Sequence, residues 1–146
     1  MNWWIAVLLL ALVLSPLSWL VPSRRERGRM DVRLQARRMG LAMQLAREEW
    51  PYWLAQHAPS PCPQYHRPRR RGSHLDCWCY WQVEPGNWQN QWREPCADAV
   101  LAAQLATLPG DVFKVQASAQ MVALYWGERA QPDSLQKIAD FLKARA

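Results

Sequence analysis

The chain has 146 residues, a formal net charge of +6, four cysteines, ten tryptophans and only six glycines. This length allows one small domain with an appendage. Half of the residues are hydrophobic, yet the mean hydropathy is −0.34, so the apolar residues must be concentrated in places. The composition excludes a multispan transporter, a collagen-like chain and a fully disordered chain.

The first concentration of apolar residues lies at residues 3–21, a run of 19 without an ionisable side chain. As a helix it would measure about 28 Å, close to the hydrocarbon thickness of a bilayer. Trp3, Trp4 and Trp19 lie at its two ends, where amphipathic rings prefer the membrane interfaces. A cleaved signal peptide would have a basic start and a cleavage site of small residues, and this segment has neither. We therefore expect residues 1–22 to form an uncleaved transmembrane anchor.

A basic segment follows this anchor, because residues 23–47 contain eight arginines and two acidic residues. Those nearest the anchor are Arg24, Arg25, Arg27 and Arg29. Basic residues beside a span stay in the cytoplasm, which predicts a single-pass protein of the inner membrane with its N-terminus outside and residues 23–146 cytoplasmic. The arginines could in addition contact anionic lipid, although orientation alone would require them. A reducing compartment would keep the cysteines as thiols or metal ligands.

Residues 23–40 predict a basic juxtamembrane helix, because Arg37 and Arg38 fall in its last turn and Gly40 follows. Alternating residues at 41–46 predict a short strand. The segment 55–75 is rich in proline and arginine and predicts an irregular, solvated loop. Its arginines lack the motifs of nucleic-acid-binding proteins, so no nucleic acid partner is expected.

The remaining pattern is regular. Residues 77–83 and 88–92 predict a β-hairpin around a turn at 84–87, and apolar spacing predicts a helix at 96–108. Two strands near 112–115 and 121–126 and a final amphipathic helix at 132–142 follow. This order predicts an α+β domain over 41–146, with a small, mainly antiparallel sheet and two helices.

Cysteines and histidines are the only candidates for chemistry. Zinc takes thiolate and imidazole ligands, so a site could draw on Cys62, Cys77, Cys79 and Cys96, with His66 and His74 beside them. Their spacing does not match the usual Cys-x₂₋₄-Cys pairs, although Cys77 and Cys79 would share one face of a strand. Buried thiols are the simpler interpretation, and two disulfides would require the domain to lie outside the cytoplasm.

No catalytic motif accompanies these residues. The chain contains no Gly-rich phosphate loop, nucleophile elbow or His-Glu-x-x-His helix. We therefore expect a protein that is not an enzyme and that needs no cofactor, although its thiols could bind zinc.

The first forty residues, with LVPSRRER at 20–27 ending the anchor and a basic helix after it, resemble the start of YajC, the accessory subunit of the bacterial preprotein translocase. The Lys-x-Gly-Asp-containing region that follows the anchor in that family is absent. The whole chain resembles single-pass inner-membrane proteins of proteobacteria. This resemblance implies an accessory or scaffolding role without catalytic residues.

Two function classes follow from these observations. The first is a non-enzymatic, membrane-tethered interaction or accessory module at the cytoplasmic face, with the lipid bilayer and a membrane protein as partners. The alternative is a zinc- or thiol-dependent, membrane-anchored protein that uses Cys77 and Cys79.

Overall fold

The computed structural model describes residues 2–70, 76–129 and 133–146. Within them, the chain forms an α+β fold with four helices and six strands. In chain order these elements are α1 (Trp3–Trp19), α2 (Arg24–Arg38), β1 (Ala42–Ala46), β2 (Cys62–Pro68), β3 (Trp78–Glu84), β4 (Asn87–Gln89), α3 (Ala99–Ala106), β5 (Val112–Ala117), β6 (Met121–Trp126) and α4 (Ser134–Arg145). The predicted α+β class is therefore confirmed.

The six strands form one sheet in the order β1-β2-β6-β5-β3-β4, and every neighbouring pair is antiparallel. Alternation along β6 separates two faces, because Leu124 and Trp126 enter one apolar cluster while Tyr125 enters another. Helices α2, α3 and α4 pack on the first face. The loop between β1 and β2 supplies Trp50 and Ala58 to the second face.

Helix α2 belongs to this core, although the sequence placed a domain boundary after residue 40. Its buried residues Val32 and Ala36 join the same cluster as Ile138 of α4 and Leu124 of β6. Gly40 ends the helix with a left-handed φ of 81°, a conformation that is unfavourable for residues with a Cβ atom. Helix α2 is thus one layer of the folded domain.

The proline-rich segment at 55–75 contains a strand where the sequence predicted an irregular loop. β2 pairs with β1 on one side and β6 on the other. Pro63 is its second residue and Pro68 its last, and near the ends of a strand the missing N–H interrupts the hydrogen-bond ladder least. Residues 71–75 of the predicted loop lie outside the described residues.

The predicted hairpin is confirmed around its turn, where Gly86 has a φ of 82° as the third residue of a Pro-Gly turn requires. Its second strand is shorter than predicted. The Asn90 side chain accepts hydrogen bonds from the backbone N–H groups of Trp92 and Glu94, both at 3.0 Å, and so turns the chain. Helix α3 is also shorter than predicted, because Asp98 caps it by accepting from Val100 N–H at 2.9 Å.

Candidate functional site

Helix α1 is apolar and exposed along its whole length. None of its residues is buried, and Leu10, Leu12 and Val13 each leave more than half of their surface uncovered. No single helix among the described residues is both long and apolar enough to cross a bilayer, and α1 and α2 meet that requirement of length and composition only as a pair, which is bent by 46°. A continuous apolar surface of this kind is normally covered by lipid or by protein.

Helix α2 starts at a well-defined point only a few residues after α1. The Ser23 side chain accepts a hydrogen bond from Glu26 N–H at 3.3 Å, and the Glu26 carboxylate accepts one from Ser23 N–H at 3.2 Å. This reciprocal pair satisfies two backbone donors that the first turn would otherwise leave without partners. The capping box therefore fixes where the chain leaves α1 and enters the domain.

A buried carboxylate fastens α2 to the sheet. Arg33 donates to both oxygens of Glu128, from Nε at 2.8 Å and from Nη2 at 2.9 Å, and Tyr65 Oη donates to the same carboxylate at 2.8 Å. The Glu128 side chain is only 1% exposed. The hydrogen bond to Glu128 raises the pKa of Arg33, and burial followed by this same carboxylate raises the pKa of Tyr65 well above its usual range.

Next to this bond lies a cavity of about 380 Å³, which we call the arginine cleft. It is formed by the first turns of α2 and the segment after β6. Its lining residues are Arg24, Arg25, Gly28, Arg29, Gly127, Glu128 and Arg129. Arg129 is held there through its backbone, because Asp111 Oδ2 accepts from its N–H at 2.8 Å. Four arginines and one carboxylate thus line the cleft.

The arginine cleft includes three of the four membrane-proximal arginines singled out from the sequence. Arg24, Arg25 and Arg29 line it, whereas Arg27, on the same stretch of helix, does not. Sequence reasoning missed Arg129 and Glu128, which lie about a hundred residues further along the chain. No local pattern marks these two residues, because only the return of β6 beside α2 brings them there.

A second polar cluster lies on the opposite face of the sheet. Lys114 Nζ lies 3.2 Å from Glu48 Oε2 and 5.3 Å from the ring centroids of both Trp81 and Tyr125. Tyr125 Oη also donates to Glu48, and burial raises the pKa of this phenol above its usual range. Because Lys114 is only 8% exposed, the cluster serves to bind the β1–β2 loop to the sheet.

The four cysteines do not come together. Strands β6 and β5 lie between Cys62 on β2 and Cys79 on β3, which separates the two strands by about 14 Å. Cys96 and Tyr80 both pack against the first apolar cluster, and Tyr80 faces the side of β3 opposite to its neighbour Cys79. The predicted set of Cys62, Cys77, Cys79 and Cys96 therefore does not form one tetrahedral site.

The histidines do not complete such a site within the described residues. No group of three or more His, Cys, Asp or Glu side chains there could hold a metal ion. His74, which the sequence offered as a further possible ligand, lies outside the described residues. Burial raises the pKa of Cys62 to about 12 and that of Cys79 to about 11, which keeps both thiols protonated at neutral pH.

Cys77 and Cys79 nevertheless line a common cavity of about 490 Å³ at the end of β3. Aromatic side chains of Trp78, Tyr80 and Trp92 line it as well, and Trp92 is 70% exposed. Two of the predicted ligand residues thus share one cavity. It could admit a small molecule that contacts thiol and aromatic groups.

No protein-family model, curated protein or solved structure matches this chain.

Proposed function

We propose that this chain is a membrane-tethered, non-enzymatic interaction or accessory module. In this proposal α1 lies in the bilayer, the N-terminus is outside, and residues 23–146 are cytoplasmic. The observation that carries the proposal is the exposed, apolar α1, which is followed by the arginine-rich start of α2. Lipid would cover α1, and the arginines would hold α2 on the cytoplasmic side.

The fold would restrict how a tethered domain is positioned relative to the membrane. Because α2 is packed through Val32 and Ala36 and bonded through Arg33 to Glu128, the domain begins directly where the anchor ends. A domain held in this way would present its sheet at a restricted height and orientation above the membrane. Restriction to the surface raises the effective concentration for a membrane-bound partner without an active site.

The partner in this proposal is another membrane protein, and the bilayer itself is the second contact. The resemblance of the first forty residues to YajC makes the preprotein translocase the first partner to test. Crosslinking from the exposed face of the domain, for example at Tyr52, which is 99% exposed, would capture it. Recovery of the same partner by a variant that lacks α1 would contradict a role for tethering.

Tethering and orientation can be tested together with added cysteines. Asn2→Cys places a thiol before α1, and Tyr52→Cys places one on the surface of the domain. In intact spheroplasts, a membrane-impermeant maleimide should add a label to the first variant only. The second should gain its label after the membrane is opened, and the unsubstituted chain gives the background of the four native cysteines.

The outcomes separate the parts of the proposal. The reverse labelling pattern would overturn the orientation while leaving the tether. Release of the chain from membranes by alkaline carbonate would overturn the tether itself, because a spanning helix resists that extraction.

The alternative function is supported by the cavity that Cys77 and Cys79 share. In it the chain would bind zinc or use its thiols, and Cys77→Ser with Cys79→Ser would remove bound metal or thiol reactivity. A metal measurement on the full chain, purified reduced in an uncharged detergent, decides this. About one zinc per chain, lost in the double variant, would favour this alternative, whereas a metal-free chain that folds normally would contradict the zinc form.

A further inference from the structure

We propose that the arginine cleft binds the phosphate group of an anionic phospholipid head group. This inference rests on the proposed tether, because the lipid is the ligand that a membrane anchor would bring to the cleft. It goes beyond a general attraction between basic residues and a membrane, since it assigns binding to a defined set of side chains from two distant segments: Arg24, Arg25, Arg29 and Arg129.

The charge in the cleft is not neutralised from within. Glu128 is its one carboxylate, and both oxygens already accept hydrogen bonds from Arg33, with Tyr65 as a third donor. Arg29 lies at 3.9 Å from that carboxylate, too far for a hydrogen bond. Across the described parts of the chain, Arg24, Arg25 and Arg129 form no ion pair. The cleft therefore retains donors for an added anion.

Guanidinium groups suit a phosphate in particular. Their planar donors match two phosphate oxygens at once, whereas an ammonium group acts as a point charge. The walls come from α2 and from the segment after β6, so an anion inside would be approached from two directions. This arrangement differs from a row of arginines along one helix, which can only face a flat surface.

Gly28 gives an independent indication that the cleft is kept open. Glycine within a helix lowers the stability of the helix, and Gly28 lies inside α2 between Arg27 and Arg29. A Cβ built there would meet no atom within 4 Å, so no packing contact within the described residues requires glycine. The position lines the cleft, and a side chain at this point would take up part of the space that a ligand would use.

The position of the cleft favours a lipid over a soluble phosphate. Four residues separate the last residue of α1, Trp19, from Arg24, the first of α2. The five Cα–Cα steps from Trp19 to Arg24 span at most about 18 Å, and the head-group layer is about 5–8 Å deep on each side of a bilayer. With α1 in the membrane, the guanidinium groups would meet lipid phosphates at the depth where these phosphates lie.

The test compares neutral substitutions inside and outside the cleft. Arg25→Gln and Arg129→Gln remove lining residues, while Arg27→Gln removes the same charge from the same turn of α2 outside the cleft. The full chain in an uncharged detergent is titrated with dihexanoyl phosphatidylglycerol, dihexanoyl phosphatidylcholine and inorganic phosphate, and binding is read by native mass spectrometry. Each lining substitution should weaken phosphatidylglycerol binding about tenfold, because it removes one charge-assisted hydrogen bond. Arg27→Gln should weaken this binding less than twofold.

Gly28→Gln supplies a second variant that keeps every arginine. It should weaken phosphatidylglycerol binding while leaving the chain folded, because glutamine favours a helix and nothing within the described residues crowds its Cβ. Unchanged phosphatidylglycerol binding in this variant would contradict the proposal that the lipid phosphate binds inside the cleft. The α-helical circular dichroism signal of the variant should be retained, which would show that the loss of binding is not caused by unfolding.

Three results would overturn the proposal. Equal losses in Arg25→Gln, Arg27→Gln and Arg129→Gln would indicate diffuse attraction, and binding of phosphatidylcholine as tight as that of phosphatidylglycerol would exclude recognition of an anion. Binding of inorganic phosphate as tight as that of the lipid would overturn the lipid as the ligand. Because the assay is carried out in detergent, failure of the tether would appear in the carbonate extraction and not here.

Discussion

Arg33 and Glu128 are 95 residues apart in the chain and are joined by two parallel hydrogen bonds of 2.8 and 2.9 Å. The arginine lies on the helix that follows the proposed anchor, and the glutamate follows the central strand β6. Glu128 has a left-handed φ of 57°, which is uncommon for a residue with a side chain, and its carboxylate is held by three donors in all. This pair therefore connects the helix after the proposed anchor to the sheet.

Removing the arginine from this pair should destabilise the domain. Arg33→Ala leaves the Glu128 carboxylate, whose side chain is 1% exposed, with only the Tyr65 hydroxyl as a close donor. An uncompensated buried charge costs about 3 kcal/mol. We expect the free energy of unfolding, measured by urea titration of the full chain in an uncharged detergent, to fall by about that amount.

Arg37→Ala is the matched control for this substitution. Arg37 lies on the same helix and is exposed, and it takes part in none of the ion pairs among the described residues. Its removal should change the free energy of unfolding by less than about 0.5 kcal/mol. Equal destabilisation by both variants would show that helix composition, and not the bond to Glu128, determines the effect.

Alkaline pH should unfold the protein more readily than neutral pH. Burial raises the pKa of the Cys62 thiol to about 12 and that of Cys79 to about 11, both from 9.0 in the unfolded chain. Above pH 9 the unfolded chain therefore binds fewer protons than the folded one, so the stability that these thiols contribute below pH 9 is lost as the pH rises towards 12. The free energy of unfolding should fall over this interval by up to about 1.4 kcal/mol per pH unit for each thiol.

Cys62→Ala tests which group causes this dependence. The substitution changes packing at every pH, but it should also flatten the decrease between pH 9 and pH 12, because one of the protons is no longer released. Tyr52→Phe, at a side chain that is 99% exposed, should leave the slope as it is. An unchanged slope in Cys62→Ala would contradict the assignment.

The proposed anchor predicts that the effect of an added charge depends on its position within α1. Leu10 lies near the middle of this helix, and Leu20 lies just after its end. An arginine at the centre of a membrane helix costs about 2.5–3.5 kcal/mol of insertion free energy, whereas near an end its long side chain reaches the interface. Leu10→Arg should reduce the fraction of the chain that resists carbonate extraction, and Leu20→Arg should leave it nearly unchanged. Equal behaviour of the two variants would indicate that a protein surface, not lipid, covers α1.

Local signals in the sequence were enough to predict most elements of the fold. The arginines and glycine at 37–40 mark the end of α2, and Pro85 with Gly86 marks the hairpin turn. The strand β2 escaped prediction because its prolines indicate a loop locally, while pairing on both sides with β1 and β6 stabilises it as a strand. Tertiary pairing of this kind leaves no periodic signal in the strand itself.

The candidate site was harder to predict from the sequence than the fold was. The arginines of residues 24–29 were visible as a basic segment, but their division into cleft-lining and outward residues depends on how α2 is rotated against the sheet. The partner residues Glu128 and Arg129 have no local motif. The ligand chemistry of the cysteines allowed one shared site although their spacing did not match one, and the strand order separates Cys62 from Cys79 by two intervening strands.

Removing one charge from the partly buried pair of Lys114 and Glu48 should destabilise the protein more than replacing both charges. Glu48→Gln leaves the Lys114 ammonium, at a residue that is 8% exposed, facing two aromatic rings without its carboxylate, and should lower the free energy of unfolding by about 3 kcal/mol. Lys114→Met combined with Glu48→Gln removes both charges and should regain most of that loss, because apolar side chains of similar volume often replace a buried ion pair well. Urea titration of the two variants tests this, and a double variant no more stable than Glu48→Gln alone would show that the pair itself stabilises the loop on the sheet.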